Sequence, residues 1–228
     1  MPVCPVEWDP ACRLVPARYR PAECFERIAD GPGMEALQVL LADLTGPGAA
    51  DFASMEPSRV LFGPGAGWIN AAFIHPRPGR FSSHRQGAFY LAREIETSVA
   101  EVKFHLERDY RREAIVESMD LEYRALSVHL RGTFHDLRGC NRSRAPWAAI
   151  HAPDAYGASQ AFAARLRSAG SAGILWLSLR RAGGACGAVF DPGTLRACRH
   201  DTYLTFRWNG QSVHQVYERR VFTLSGPA

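Results

Sequence analysis

The sequence predicts an α+β fold with a mixed, mostly antiparallel sheet and flanking helices. Several short segments alternate with period two or end in hairpin signals, and only a few amphipathic helical stretches separate them. The chain of 228 residues, 46% of them hydrophobic, is long enough to bury one core. We expect an irregular, proline-rich N-terminal arm over residues 1–24, followed by a single domain over residues 25–220 that includes a C-terminal hairpin.

Helices are predicted where apolar residues recur at spacings of three and four. The stretches are residues 33–44, 95 to about 112, and 154–169. The second stretch is the strongest, because its charged residues lie opposite one apolar stripe. The stripe consists of Ile95, Val99, Val102, Leu106 and Tyr110. Glu101 lies at the border of this stripe, where partial burial is expected.

Strands are predicted from period-two alternation and from glycine and proline boundaries. The segments are residues 88–91, 121–130, 173–180 and 186–190, and a hairpin over residues 203–216. The hairpin carries Asn209-Gly210 at its centre, a pair that suits a two-residue type I′ turn.

Composition excludes several classes of protein. The formal net charge of +4 is too small and too dispersed to indicate nucleic-acid binding. No apolar run approaches the roughly 20 residues that a membrane-spanning helix needs, and the N-terminus lacks the pattern of a secretory signal. The six cysteines are scattered without a C-x-x-C pair, which is typical of free thiols rather than of a metal site. We therefore expect a cytoplasmic protein with no bound metal.

Glycines at positions 63, 65 and 67 do not form a dinucleotide-binding loop. Trp68 stands where the last glycine of G-x-G-x-x-G belongs, and no strand–loop–helix unit with a following acidic residue surrounds it. A Rossmann site is therefore rejected.

Four segments carry a resemblance to a known family. They are FERIAD (25–30), GRFSSHRQGAFYLAREIETSVAEV (79–102), YGASQAFAARLRSAGSAGILWLSLR (156–180) and GGACGAVFDP (183–192). The sequence resembles the RES-domain family of toxins from bacterial toxin–antitoxin pairs. The resemblance implies a fold like that of ADP-ribosyltransferases. It also implies an enzyme that degrades NAD by cleaving the nicotinamide–ribose bond, through phosphorolysis or hydrolysis.

The resemblance carries the family's functional residues to particular positions. These are Arg27, Arg80, Tyr90, Glu101 and Ser159, with Ser178 as a competing candidate for the serine. The sequence departs from the common family pattern at Ile28, where many members have tyrosine, and at Phe81, where many have tryptophan.

Each of these residue types suits one part of NAD. A carboxylate such as Glu101 stabilises the positive charge that develops on the ribose. Arg27 and Arg80 are expected to bind the pyrophosphate through charge-assisted hydrogen bonds, and Tyr90 to stack on the nicotinamide or line its pocket. Ser159 is expected to bind ribose, amide or phosphate. Two histidines are further candidates for acid–base chemistry, His84 and His105.

The resemblance also implies partners. NAD is expected as substrate and no cofactor is needed; the protein partner is a cognate helical antitoxin of the Xre, MbcA or ParS type, bound to a homodimer of this chain. No membrane and no direct nucleic-acid contact are expected. A loop rich in arginine is a candidate partner surface, with a solvated loop as the alternative; its arginines are Arg138, Arg142 and Arg144. Two alternative functions remain open, an ADP-ribosyltransferase with a macromolecular target and a non-catalytic module that binds NAD or a partner.

Overall fold

The structure, a computed structural model, describes residues 2–19 and 59–219. The predicted helix over residues 33–44 lies outside these ranges. The α-helices of these ranges are α1 (Ala66–Ile74), α2 (Ile95–Arg112), α3 (Trp147–Ile150) and α4 (Gly157–Ser168). The strands are β1 (Val3–Pro16), β2 (Phe89–Ala92), β3 (Met119–Asp136), β4 (Gly173–Leu177), β5 (Ala185–Val189), β6 (Leu195–Trp208) and β7 (Val213–Arg219).

All strands of the described ranges belong to one sheet with the order β1-β2-β5-β4-β3-β6-β7. Strand β1 also pairs with β3, so that β1, β2, β5, β4 and β3 close into a ring, and the β6–β7 hairpin extends it beyond β3. Within this sheet, β3 and β4 are parallel and the other pairs are antiparallel. The predicted α+β class with a mixed, mostly antiparallel sheet is therefore confirmed.

The prediction of an irregular arm is wrong for the stretch that forms β1. The ladder between β1 and β3 runs from Val3↔His135 to Pro16↔Tyr123 and is interrupted by one register shift, between Trp8 and Ala11. Pro10 lies within this shift, where a missing N–H breaks no regular ladder bond. One of the prolines that argued against a strand, Pro10, is thus accommodated by a bulge in β1, and the long pairing with β3 is a contact that sequence patterns do not show.

Helix α2 begins and ends where the apolar spacing predicted. Its stripe packs on the β6–β7 hairpin: Leu106 is buried, and the other four stripe residues are partly buried against the same cluster. Polar contacts fix the helix at both sides. Ser98 Oγ donates to Cys12 O of β1 at 3.0 Å, and Lys103 Nζ donates to Val213 O of β7 at 2.8 Å. Glu101 lies between these two anchors, so its backbone position is set by the sheet on either side.

The remaining predicted elements are present with shifted ends. Strand β4 ends at Leu177, so Ser178 is the first residue after the strand. The hairpin forms between β6 and β7, but the predicted two-residue turn is wrong. Trp208 pairs with Val213, which leaves a four-residue loop, because Asn209 Oδ1 accepts hydrogen bonds from the N–H groups of Gln211 and Ser212. The asparagine stabilises a wider turn than its Asn-Gly pairing suggests.

Candidate active site

Glu101 of α2 is held by a serine at the end of β4. Ser178 Oγ donates to Glu101 Oε1 at 2.6 Å. Ser178 Oγ also accepts hydrogen bonds from the backbone N–H groups of Arg180 and Arg181, at 2.9 Å and 3.0 Å. Because a hydroxyl has one proton and two lone pairs, these two backbone donors leave the proton for the carboxylate. Ser178 is buried, so the carboxylate is oriented by a group that is itself fixed.

The second oxygen of Glu101 faces a less constrained space. The carboxylate side chain is 26% exposed, and its Oε2 lies 4.0 Å from His105 Nε2. Burial, assisted by Arg108 and Arg180, lowers the pKa of His105 to about 4, so this imidazole is neutral at pH 7. Cys186 Sγ lies 3.9 Å from Glu101 Oε1, and burial raises the pKa of its thiol, which stays protonated. Glu101 is therefore flanked by neutral groups on both oxygens.

Arg80 lies in the same region and is nearly buried. Its Nη1 donates to Ile150 O at 3.1 Å and to Ala152 O at 2.7 Å, and its guanidinium carbon lies 5.0 Å from the centre of the Tyr156 ring. Burial lowers the pKa of Arg80, while Tyr156 and Glu101 raise it. Glu101 is therefore one of the groups whose charge acts on the Arg80 guanidinium.

Tyr90 fixes the turn that carries Arg80. Its hydroxyl accepts a hydrogen bond from the N–H of Phe81 at 2.8 Å and lies 3.0 Å from Ser82 Oγ. A side chain at Gly79 would meet the same hydroxyl, because a Cβ there would lie 2.8 Å from it. The ring packs edge-on against Trp176, with 6.3 Å between centroids. The hydroxyl thus has a positioning role, and only the ring remains for the predicted contact with nicotinamide.

The comparison with protein families decides the assignment. The sequence model of the RES domain matches residues 56–209. This chain belongs to the RES-domain family. Among solved structures, the crystal structure of the M. tuberculosis MbcT–MbcA toxin–antitoxin complex matches with 18% identity over 86% of each chain and a TM-score of 0.45. A search of curated proteins finds no match. The RES match contains the predicted site residues except Arg27, which lies outside the described residues.

The two candidate serines of the RES domain have different surroundings. Ser159 is fully buried in the first turn of α4, and its hydroxyl donates to Tyr156 O of the same turn at 2.9 Å. Ser178 contacts Glu101 directly. The two other candidates also differ, because His84 is exposed in the loop before β2 whereas His105 lies beside Glu101.

Two residues of the RES domain that sequence reasoning missed support the Arg80 turn from α4. Gln160 Nε2 donates to Gly79 O at 2.9 Å, and Arg167 Nη2 donates to Phe81 O at 3.1 Å. Arg167 also lies over the Phe190 ring, 3.6 Å from its centre, and burial lowers the pKa of Arg167 to about 10. Glutamine and arginine on a helix are ordinarily solvent-exposed, so the residue types gave no sign of this role. The only available signal was that both residues lie in a segment that resembles the family.

Arg180 is the third residue that sequence reasoning missed. Its guanidinium lies over the Phe104 ring of α2, 3.1 Å from the centroid, and its Nη2 donates to Pro153 O at 3.2 Å. Arg180 follows Ser178 by two positions, so it extends from the same end of β4. No spacing or motif distinguished it from the chain's many other arginines.

The arginine-rich loop of the RES domain is partly engaged within the chain. Arg138 pairs with Asp136 at 2.8 Å and Arg142 Nη2 donates to Leu177 O at 2.7 Å, whereas Arg144 is exposed. Within residues 2–19 and 59–219 there is no group of three or more side chains suited to hold a metal ion. No helix in that part of the chain is long and apolar enough to cross a membrane.

Proposed function

We propose that this RES domain is the toxin of a bacterial toxin–antitoxin pair and degrades NAD by cleaving its nicotinamide–ribose bond. The observation that carries the proposal is the oriented carboxylate: Ser178 Oγ donates to Glu101 Oε1 at 2.6 Å, and the charge of Glu101 acts on the buried guanidinium of Arg80. Membership in the RES family supports the same function, since the matched segment contains all three residues.

The chemistry follows from the charges involved. In NAD the nicotinamide nitrogen is already positively charged, so breaking the bond from this nitrogen to ribose C1′ moves the bonding pair to the nitrogen and releases neutral nicotinamide. No acid has to protonate the leaving group, which fits the neutral His105 and Cys186 beside the carboxylate. Positive charge develops on the ribose in the transition state, and a fixed carboxylate stabilises it.

The nucleophile completes the reaction at C1′. Attack by water gives ADP-ribose and releases a proton, whereas attack by phosphate gives ADP-ribose 1″-phosphate. With Oε1 of Glu101 bound to Ser178, Oε2 is the oxygen that remains to hold a ribose hydroxyl or to orient the nucleophile. We assign Arg80 to the pyrophosphate and the Tyr90 ring to the wall of the nicotinamide pocket; Arg27 is proposed to assist Arg80, from the resemblance alone.

The partner proposal rests on the family as well. We propose that a helical antitoxin covers this site, that the toxin forms a homodimer within the complex, and that it acts in the cytoplasm, where NAD is its substrate. The exposed Arg144 and its loop are the proposed contact surface for the antitoxin.

The experiment that tests the function is the loss of NAD. Purified protein is incubated with NAD, with and without phosphate, and the products are separated by chromatography. Glu101→Gln keeps an acceptor for Ser178 but removes the charge, and we expect it to lower the rate at least about 100-fold. Glu96→Gln, on an exposed position of the same helix, is the matched control and should leave the rate unchanged.

The reaction products distinguish the candidate activities. Phosphate-dependent loss of NAD indicates phosphorolysis, and phosphate-independent loss indicates hydrolysis. Label from adenine-labelled NAD that stays attached to a protein would instead indicate an ADP-ribosyltransferase. NAD that stays intact with wild-type protein, after any bound partner has been removed, would reject the degrading activity.

A further inference from the structure

We propose that Arg180 belongs to the pyrophosphate site and binds the diphosphate of the dinucleotide together with Arg80. This inference rests on the proposed function and names the part of the site that selects a diphosphate-bearing substrate. It is independent of Arg27.

The position of Arg180 is set by the same serine that orients Glu101. Its backbone N–H donates to Ser178 Oγ at 2.9 Å. Its guanidinium then lies over the ring of Phe104, which follows Glu101 by three positions and therefore lies on the same side of α2. One serine and one helix face thus place the carboxylate and the cation in the same region of the site.

Arg80 and Arg180 come from different parts of the chain and donate hydrogen bonds to the same segment, residues 150–153. Arg80 donates to the carbonyl groups of Ile150 and Ala152, and Arg180 donates to that of Pro153. Arg180 also lowers the pKa of Arg80, as expected for two cations that bind to the same loop. This part of the site contains the two guanidiniums and the carboxylate of Glu101. These three groups together carry an excess of positive charge, which a bound anion would neutralise.

The donor geometry suits a diphosphate. The hydrogen bonds within the described residues use one of the five N–H donors of the Arg180 guanidinium, at Pro153 O. Stacking on Phe104 holds the planar group in place, so little conformational freedom is lost when an anion binds. Two arginines that each present a planar fork match the two phosphate groups of a diphosphate.

Arg181 provides a matched control. It is the next residue, and its backbone N–H also donates to Ser178 Oγ. Its guanidinium, however, contacts Thr97 Oγ1 at 3.1 Å and Glu94 Oε2 at 3.7 Å. An arginine with almost the same backbone setting is therefore already paired within the chain and is not expected to bind the substrate.

The test measures binding of ADP-ribose and of inorganic phosphate by calorimetry, with wild type, Arg180→Gln, Arg180→Lys and Arg181→Gln. We expect Arg180→Gln to weaken ADP-ribose binding about 10- to 100-fold, the range for loss of a charge-assisted hydrogen bond. Arg180→Lys should lie between wild type and Arg180→Gln, and Arg181→Gln should stay within about twofold of wild type. If Arg180→Gln does not fold, the lysine variant decides the outcome.

Several results would overturn the assignment. Wild type that does not bind ADP-ribose, or Arg180→Gln that binds it as tightly as wild type, would exclude Arg180 from a diphosphate site. Weakened phosphate binding with unchanged ADP-ribose binding would place Arg180 at a co-substrate phosphate instead.

Turnover gives an independent readout. With NAD as substrate, Arg180→Gln should raise KM with little change in kcat, whereas Glu101→Gln should lower kcat. A loss of kcat alone in Arg180→Gln would mean that Arg180 acts on the carboxylate, against the proposal. If wild type binds ADP-ribose through Arg180 but leaves NAD intact, the proposed function fails while the diphosphate site stands.

Discussion

Replacing Ser178 by alanine tests the central contact of the site. The substitution removes a hydrogen bond of 2.6 Å to an ionised carboxylate and leaves two backbone N–H groups without their acceptor. A hydrogen bond to a charged group contributes about 1.5–3 kcal/mol. Because Glu101 is 26% exposed and water can replace part of the lost contact, the lower end of this range applies. We therefore expect kcat/KM for NAD to fall about 10- to 30-fold.

The control is Ser159→Ala, which removes the other serine carried over from the family resemblance. Its hydroxyl contacts only the first turn of its own helix, so we expect a loss of about 1 kcal/mol in the free energy of unfolding and little change in turnover. Both variants are assayed for loss of NAD and for urea unfolding. If Ser178→Ala turned over NAD within twofold of wild type while Glu101→Gln was inactive, orientation of the carboxylate by Ser178 would be wrong.

Three further predictions concern the scaffold. Tyr90→Phe should raise KM for NAD and lower the urea midpoint, because the Arg80 turn loses its hydroxyl partner; unchanged values for both would contradict this. The depressed pKa of His105, about 4 against an ordinary 6.5, means that the unfolded state binds the proton first. Stability should therefore fall as pH drops from about 6.5 to 4, and urea titrations should show a smaller fall in His105→Gln. Gly65→Ala should cost more than about 2 kcal/mol of unfolding free energy, since a Cβ would lie 1.8 Å from Cys198 O at a left-handed φ of +81°. Gly63→Ala, with a φ of +95° and open space, should cost less, and equal urea midpoints would refute the clash.

The elements that the sequence predicted well are those whose burial pattern is local. Helix α2 could be predicted to its ends because its apolar stripe repeats over five turns and faces a single cluster. Strand β1 could not, because its partner β3 lies more than a hundred residues along the chain and its prolines are compatible with a strand only beside that partner. The wider loop at Asn209 depends on a side-chain hydrogen bond that an Asn-Gly pair does not reveal.

The candidate site was predictable only in part. The resemblance placed Glu101, Arg80 and Tyr90 in one segment, and the structure shows that the Tyr90 hydroxyl fixes the turn of Arg80. The choice between the two serines required the structure, because the contact between Ser178 and Glu101 forms only where the end of β4 lies beside α2. Arg180 was missed for the same reason, because its role depends on a ring from another element.

The closed ring of strands determines when the site can assemble during synthesis. Strand β1 is synthesised before β3, yet its longest ladder is with β3, and α2 is tied to β1 through Ser98. Glu101 gains its partner only after Ser178 has been made, and β5, which separates β2 from β4 in the sheet, follows later still. Pairing between distant segments also makes folding slow relative to helical proteins of the same size. A nascent chain that ends before Ser178 therefore lacks the ordered carboxylate, and one that ends before β5 also lacks the complete ring, so the proposed degradation of NAD would start only after β5 has been synthesised.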